Sequence, residues 1–378
     1  MEPRAILRHL EKKSGWIRAA LRELVEQESP SEDAPAVNAA ASLVAHQAQK
    51  LGARAKYHKQ TKFGDVLELR FGSRRSKQRP VLLLGHLDTV WPIGTLSKMP
   101  WREADGRYWG PGVLDMKAGV VMALAAIDTL VELKSMRPVV LLLNSEEEIG
   151  SPISRSITER LALESAAVFV LEPAQGLAYK TARKGVGQYH VQVTGVAAHS
   201  GVDFERGHSA VLELAKLIQT ISSFTDLPRK LTVNCGVIGG GTRSNVVASN
   251  AHAEVDVRIA KVSDATRIEK LFRRLKVSDP HCKLTITGGI NRLPMERKAG
   301  TIALFKKARS LAAELGFNLD EAATGGGSDG NFTAALGVPT LDGMGAVGEG
   351  AHATHESVFI QHLIPRTALL AAMIASVD

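Results

Sequence analysis

Only two of the 378 residues are cysteine, Cys235 and Cys282. That scarcity excludes a disulfide framework and any zinc site built on several thiolates. Both fall in stretches expected to form strands, where a free thiol behaves as a small buried hydrophobe. Aromatic residues make up 5% of the chain, and its basic residues are scattered. The formal charge of +8 therefore does not read as a nucleic-acid surface, and no nucleic-acid partner is expected. The one dense basic run, Arg74-Arg75-Ser76-Lys77-Gln78-Arg79, lies between two apolar segments and ends at Pro80. It reads as a solvated turn. A positive balance suits an enzyme that attracts anionic substrates. No apolar run approaches the ~20 residues of a membrane span. The opening MEPRAILRHLEKKSGWIRAALRELVEQ is an amphipathic charged helix without the apolar segment of a signal peptide. A cytoplasmic protein with no membrane association is the expectation.

What is present is ordinary globular composition, 44% hydrophobic and 23% charged, in a chain long enough for two domains. Helices are predicted over 15–27 and 36–51, and a strand over 65–71. Short continuous apolar strands follow at 81–84, 139–143 and 167–171, with an apolar helix over 117–133. Such strands alternating with helices predict an α/β sheet covered on both faces. Near Arg183 the texture changes. Alternating strands at 186–193, 231–238, 251–259 and 283–287, with helices at 209–221 and 264–275, give a βαββαβ order. That order predicts a compact α+β module with a half-exposed antiparallel sheet. After Pro294 the earlier style resumes, with helices at 300–315 and 364–376 and a strand near 338–341. The expected division is a first domain of residues 1–183 and 297–378, with a smaller module, 184–296, inserted into it.

The stretch 81–119 organises the rest. Its apolar strand leads into His86 and Asp88, which share a face because alternate residues of an extended segment do. Asp88 can then accept the second ring N–H of His86. Asp115 follows Gly110-Pro111-Gly112 and opens a helix; taken alone it is a helix cap. The next apolar strand runs into Glu146-Glu147-Glu148, carboxylates that are costly to crowd unless cations neutralise them. Consecutive side chains diverge, so one can bind metal while its neighbour faces a substrate. The third strand ends in Glu172, where a parallel sheet presents its ligands. His352 follows a Gly-rich stretch near the C-terminus. His86, Asp115, Glu148, Glu172 and His352 are too many ligands for one tetrahedral zinc. They suit two metals sharing a carboxylate, ~3.5–4 Å apart, and point to a metal-dependent amide hydrolase.

With these residues in view, the chain resembles the di-zinc carboxypeptidase and deacylase family. That family includes glutamate carboxypeptidase, acetylornithine deacetylase, succinyl-diaminopimelate desuccinylase and aminoacylase. The matching segments are GHLDTVW, WGPGVLDMKAG (Trp109 standing where the family has Tyr), NSEEEIGS, LEP, VTGVAAHSG, SNVV, DVR, GGGSD and GAHATHE, in the family's order. The resemblance implies a three-layer α/β/α catalytic domain with a mostly parallel sheet, plus the inserted module as a lid and dimerisation domain. It implies two zinc ions, with cobalt or manganese also suited to the ligands. His86, Asp115 and Glu172 would surround one ion, Asp115, Glu148 and His352 the other, with Asp115 bridging. Asp88 would orient His86, and Glu147 would be the general base. A cis peptide after Asp115 is also implied.

In the lid, the resemblance gives His199 the polarising of the scissile carbonyl, commonly in the partner subunit's site. Asn245 and Arg258 would hold the substrate's free carboxylate. Arg292, with Lys184, would meet an acidic side chain, and Gly325-Gly326-Gly327 would line the pocket with backbone donors, supported by Ser328 and Asp329. The implied reaction cleaves an amide beside a C-terminal carboxylate-bearing amino acid, glutamate by preference. The substrate is then a small peptide or N-acyl amino acid, and the protein a homodimer. The alternative is an N-acyl amino-acid deacylase of the acetylornithine deacetylase type. In two places the chain departs from the family. It lacks the signal peptide of exported glutamate carboxypeptidases, and His355 stands before Glu356 where relatives usually have Asn or Asp.

Overall fold

The computed structural model describes residues 2–73 and 75–377. Its chain separates into two compact units. The first runs to Ala182 and resumes over Arg297–Thr324 and from Ser328 onward; the second is Arg183–Glu296 with Gly325–Gly327.

In the first unit, the apolar strands expected from sequence assemble into a six-stranded sheet. Its order is Arg54–His58, Val66–Phe71, Val139–Asn144, Val81–His86, Ala167–Val170, Thr340–Leu341. The last four strands pair in parallel, and the first two join antiparallel at one edge. Alternation along the central strand divides its side chains between two cores. Val81 and Leu83 pack with helices Ala118–Glu132 and Ile360–Ser376; Leu82 and Leu84 pack with Val140, Leu142, Val168 and Leu161 of helix Arg155–Glu164. Each fully buried leucine contributes roughly 1.5–3 kcal/mol, and burial on both faces explains why these strands carry no polar alternation. The mostly parallel α/β architecture read from the sequence is the one observed.

Several elements had no clear signal. Strand Arg54–His58 (RAKYH) is a polar, partly exposed edge, helix Arg155–Glu164 is highly charged, and a small sheet joins Gly348–Glu349, Ser357–Phe359, Arg107–Trp109 and Arg102–Ala104. Helix Pro3–Glu11 is separate from helix Ser14–Glu26. Within the basic run, residues 75–79 are exposed, and Arg74 lies outside the described residues.

The second unit is a four-stranded antiparallel sheet ordered Thr232–Gly240, Asn250–Ile259, Gly185–Thr194, Lys283–Arg292. Helices Ala210–Ser222 and Val262–Arg273 join its strands in βαββαβ order. One face is a core of Tyr189, Val191, Val193, Val255 and Val257, with Tyr189 stacked on Phe272. The other bears more exposed residues such as Gln188 and Glu254. Cys235 and Cys282 are free thiols; Cys282 sits just before its strand rather than in it.

Candidate metal centre

The site lies at the carboxyl ends of the parallel strands, where side chains leave the sheet without having to cover it. His86 is the last residue of the central strand, in register with Asn144, and Glu172 lies just beyond Ala167–Val170. Asp115 comes from an irregular turn whose residues 115 and 116 leave helical geometry before helix Ala118–Glu132 begins. The Asp115–Met116 peptide is cis. His352 is delivered by the loop between Gly348–Glu349 and Ser357–Phe359, in a left-handed backbone conformation with φ of 62°.

Asp115 is the centre of the arrangement. Its Oδ1 lies 3.3 Å from His86 Nε2, and its Oδ2 lies 3.4 Å from His352 Nε2. Around the first oxygen, Glu172 Oε1 is 3.7 Å from His86 Nε2. Around the second, Glu148 Oε2 is 3.2 Å from His352 Nε2. His86, Asp115 and Glu148 offer ligand atoms within 4.8 Å of one another, and so do His86, Glu147 and Glu172. One carboxylate thus faces two separate imidazole–carboxylate pairs. Taken alone, Asp115 reads from sequence as a helix cap; in the fold it makes no side-chain cap of that helix.

Charge is unbalanced here in a way that suits cations. Burial would lower His86, yet Asp115 and Asp88 hold its imidazole well above the usual range. His352 is drawn up to about 10 by hydrogen bonds to Asp115 and Glu148. Burial would raise Asp115, but the two histidines hold it well below the usual carboxylate range. Four carboxylates gathered around two imidazoles demand positive charge. In addition, Glu148 Oε1 is buried without a hydrogen-bond partner among the described residues, an oxygen left available to a ligand-seeking ion. The donor set, two imidazoles and hard oxygens, fits divalent metals such as zinc.

Two supporting residues make contacts beyond those read from the sequence. His86 Nδ1 hydrogen-bonds the backbone carbonyl of Asp88 at 2.9 Å, and the Asp88 carboxylate lies farther off at 3.4 Å. That carboxylate also accepts the amides of Glu147 and Glu148, both at 3.1 Å, and the Ser31 hydroxyl at 2.6 Å. It therefore aims the two glutamates as well as the histidine. Of the three consecutive glutamates, Glu146 turns away from the site. It is buried, with Oε1 accepting the amides of Ile153 and Ser154 and Oε2 the hydroxyl of Ser145. His355 is exposed, and it is His352 that meets the carboxylates.

The residues expected to contact substrate belong to the second unit. His199 is exposed, its Nδ1 accepting the Gly201 amide. Asn245 is exposed. Arg258 and Arg292 both pair in register with Val186, one from each neighbouring strand. Arg258 forks onto Asp256 through Nε and Nη2 at 2.9 Å, the local ion pair that such a strand position offers by default. Burial lowers the Lys184 ammonium, and the positive charges of Arg258 and Lys230 lower it further. The carbonyls of Gly326 and Gly327 accept from Arg183. In the first unit, Ser328 donates to Asp342, and Asp329 accepts from Asn144 and Ser151.

Residues 82–376 match the family model described as Peptidase family M20/M25/M40. The chain belongs to this peptidase family. Among M20 relatives, carboxypeptidase G2 of Pseudomonas sp. (strain RS-16) is 28% identical over 363 residues, covering 93% of this chain and 86% of that one. The acetylornithine deacetylase of Myxococcus xanthus is 26% identical over 316 residues, covering 80% and 82%. The crystal structure of a tripeptidase from Staphylococcus aureus shares the M20 fold with a TM-score of 0.81 at 20% identity, covering 96% of this chain and 98% of the other. This chain is thus an M20-family hydrolase with a candidate metal cluster at its strand ends. No helix among its described residues is long and apolar enough to cross a membrane.

Proposed function

We propose that this protein hydrolyses the amide bond next to a C-terminal, carboxylate-bearing amino acid, glutamate by preference, using two divalent metal ions. The observation that carries this reading is the Asp115 carboxylate, whose two oxygens face separate histidine–glutamate pairs. His86, Asp115 and Glu172 would hold one ion, and Asp115, Glu148 and His352 the other, zinc in the first instance. Bound there, such ions supply Lewis acidity for a carbonyl and lower the pKa of water from 15.7 toward ~7.

The chain's own residues do the rest. Glu147, beside His86 and Glu172, takes the proton of the attacking water and hands it to the leaving amine. Asp88 fixes the direction of Glu147 and Glu148 through their amides. His199 stabilises the carbonyl oxygen as charge develops on it. Asn245 and Arg258 hold the substrate's carboxylate; Asp256 occupies Nε and Nη2 of Arg258, which leaves Nη1. Arg292 and Lys184 meet an acidic side chain, a role supported by the burial of Lys184 and by the positive charges of Arg258 and Lys230 near it. Gly327 contributes to the pocket, and the second unit serves as lid and homodimer contact.

Similarity to a carboxypeptidase along most of the chain supports cleavage beside a free carboxylate. Similarity to an acetylornithine deacetylase keeps the acyl side of the same bond as the competing specificity. The test is a panel of N-blocked dipeptides with varied C-terminal residues, assayed beside N-acetylornithine on zinc-loaded protein. Preference for C-terminal glutamate is expected, with two metal equivalents per chain. Turnover of N-acetylornithine alone would reverse the specificity, and full activity without metal would overturn the whole reading.

A further inference from the structure

Glu356 belongs to the same closing motif as His352 and has no role in the scheme above. It is 1% exposed and receives four donors. Oε2 accepts Trp91 Nε1 at 2.8 Å and the Gly112 amide at 2.9 Å. Oε1 accepts the amides of Leu114 at 2.8 Å and Asp115 at 3.1 Å. Three of the four come from the turn that presents Asp115, and one is the amide of Asp115 itself.

That turn cannot satisfy itself. Asp115 and Met116 depart from helical geometry, so the regular ladder is broken before helix Ala118–Glu132. The Val113 and Lys117 amides find the carbonyls of Gly110 and Gly112. Those of Gly112, Leu114 and Asp115 go to Glu356. Without it, three amides, two of them buried and one partly so, would be left unpaired, a state native folds avoid. The position of Glu356 is fixed in turn, because Ser357 pairs in register with Trp109 just before Gly110-Pro111-Gly112.

We propose that Glu356 is a positioning residue for Asp115: it clamps the 112–115 turn so that one carboxylate addresses both His86 and His352. The inference rests on the two-metal reading. It follows from the chemistry of the pocket, in which every group facing the carboxylate is a donor. An amide in its place turns an NH2 toward two of those donors. In Glu356→Gln, either Trp91 and Gly112 or Leu114 and Asp115 must then move away. Asp115 moves with them, and both ions lose a shared ligand at once. Partners that orient metal ligands typically govern 10–100-fold in metal affinity.

The experiment titrates metal-free protein with Co2+, following its visible absorption, and measures Zn2+ affinity by competition with a chelator. Wild type should take up two equivalents. Glu356→Gln should bind both 10–100-fold more weakly, with an altered cobalt spectrum and an unchanged far-UV circular dichroism spectrum. Glu356→Asp, which keeps an all-acceptor group, should recover part of the loss. Trp91→Phe, which removes one donor and leaves the turn's amides in place, should weaken binding by less than tenfold. Wild-type affinity and spectrum in Glu356→Gln would overturn the proposal. If that variant does not fold, a Glu356→Asp spectrum identical to wild type would overturn it instead. Failure of the two-metal reading looks different: wild type itself would take up no cobalt, or only one equivalent.

Discussion

At the scale of single residues, the two glutamates that follow strand Val139–Asn144 face different partners. Asp88 holds both amides at 3.1 Å, so their side chains start from one fixed backbone and diverge. Glu148 points at His352, and Glu147 sits with His86 and Glu172. Replacing Glu147 by Gln keeps the size and the amide contact but removes the proton acceptor. Turnover is expected to fall by ~10²–10⁴-fold while metal content stays at the wild-type value. Steady-state kinetics beside metal analysis tests this, and near wild-type turnover rules out the base assignment. Sequence alone narrows this region only partly. Glu146, Glu147 and Glu148 are chemically identical, and which one turns away from the site depends on the amides of Ile153 and Ser154, backbone donors that carry no side-chain signal. The same holds for Glu356, whose partners are mostly backbone. His352 itself takes a left-handed φ and His355 does not, a difference no side-chain pattern encodes.

At the scale of elements, the site depends on how closely helix Ala118–Glu132 approaches the strand that leads to Glu172. Gly119 makes that approach possible: a Cβ there would lie 2.2 Å from the Leu171 carbonyl oxygen. Gly119→Ala must push helix and strand apart, at a cost of about 1–3 kcal/mol. Because Leu171 precedes Glu172, the same shift should weaken metal binding. Thermal unfolding of the variant should show a lower Tm, and a midpoint equal to that of the wild type would contradict the packing argument. Elements buried on both faces are legible from their apolar runs, as with Val81–His86 and Val139–Asn144. Arg54–His58 is not, because a partly exposed edge strand needs no apolar pattern and RAKYH has none. The sheet containing Arg107–Trp109 and Ser357–Phe359 is equally silent, since its short strands are paired across most of the chain.

At the scale of the molecule, stability against acid depends in part on one carboxyl of the second unit. In the second, Glu213 accepts from Lys216 Nζ at 2.6 Å and from the Ser278 hydroxyl at 2.7 Å. Burial would raise this carboxyl, but Lys216 and Ser278 outweigh it and hold the group at about 2. A depressed carboxyl stabilises the fold fully above its unfolded value, 4.5, and loses that contribution as pH falls toward 2. Urea unfolding followed by circular dichroism should therefore find Glu213→Gln less stable than wild type at pH 7. The gap should narrow below pH 4.5, and an undiminished gap at pH 3 would show that Glu213 is not the group responsible.

The meeting of early and late chain at Asp115 has a topological consequence. Glu356 and Asp115 are 241 positions apart, and the whole second unit is threaded between them. An ion shared by Asp115 and His352, as the proposed function has it, would act as a removable cross-link that closes this long loop, much as a disulfide would in a chain with only two cysteines. Stripping it with a chelator should free the segment around His352 before the sheet itself melts. Limited proteolysis should then cut first near residues 350–355, and added zinc should restore resistance. Equal cleavage with and without metal would show that the loop is closed by the protein alone.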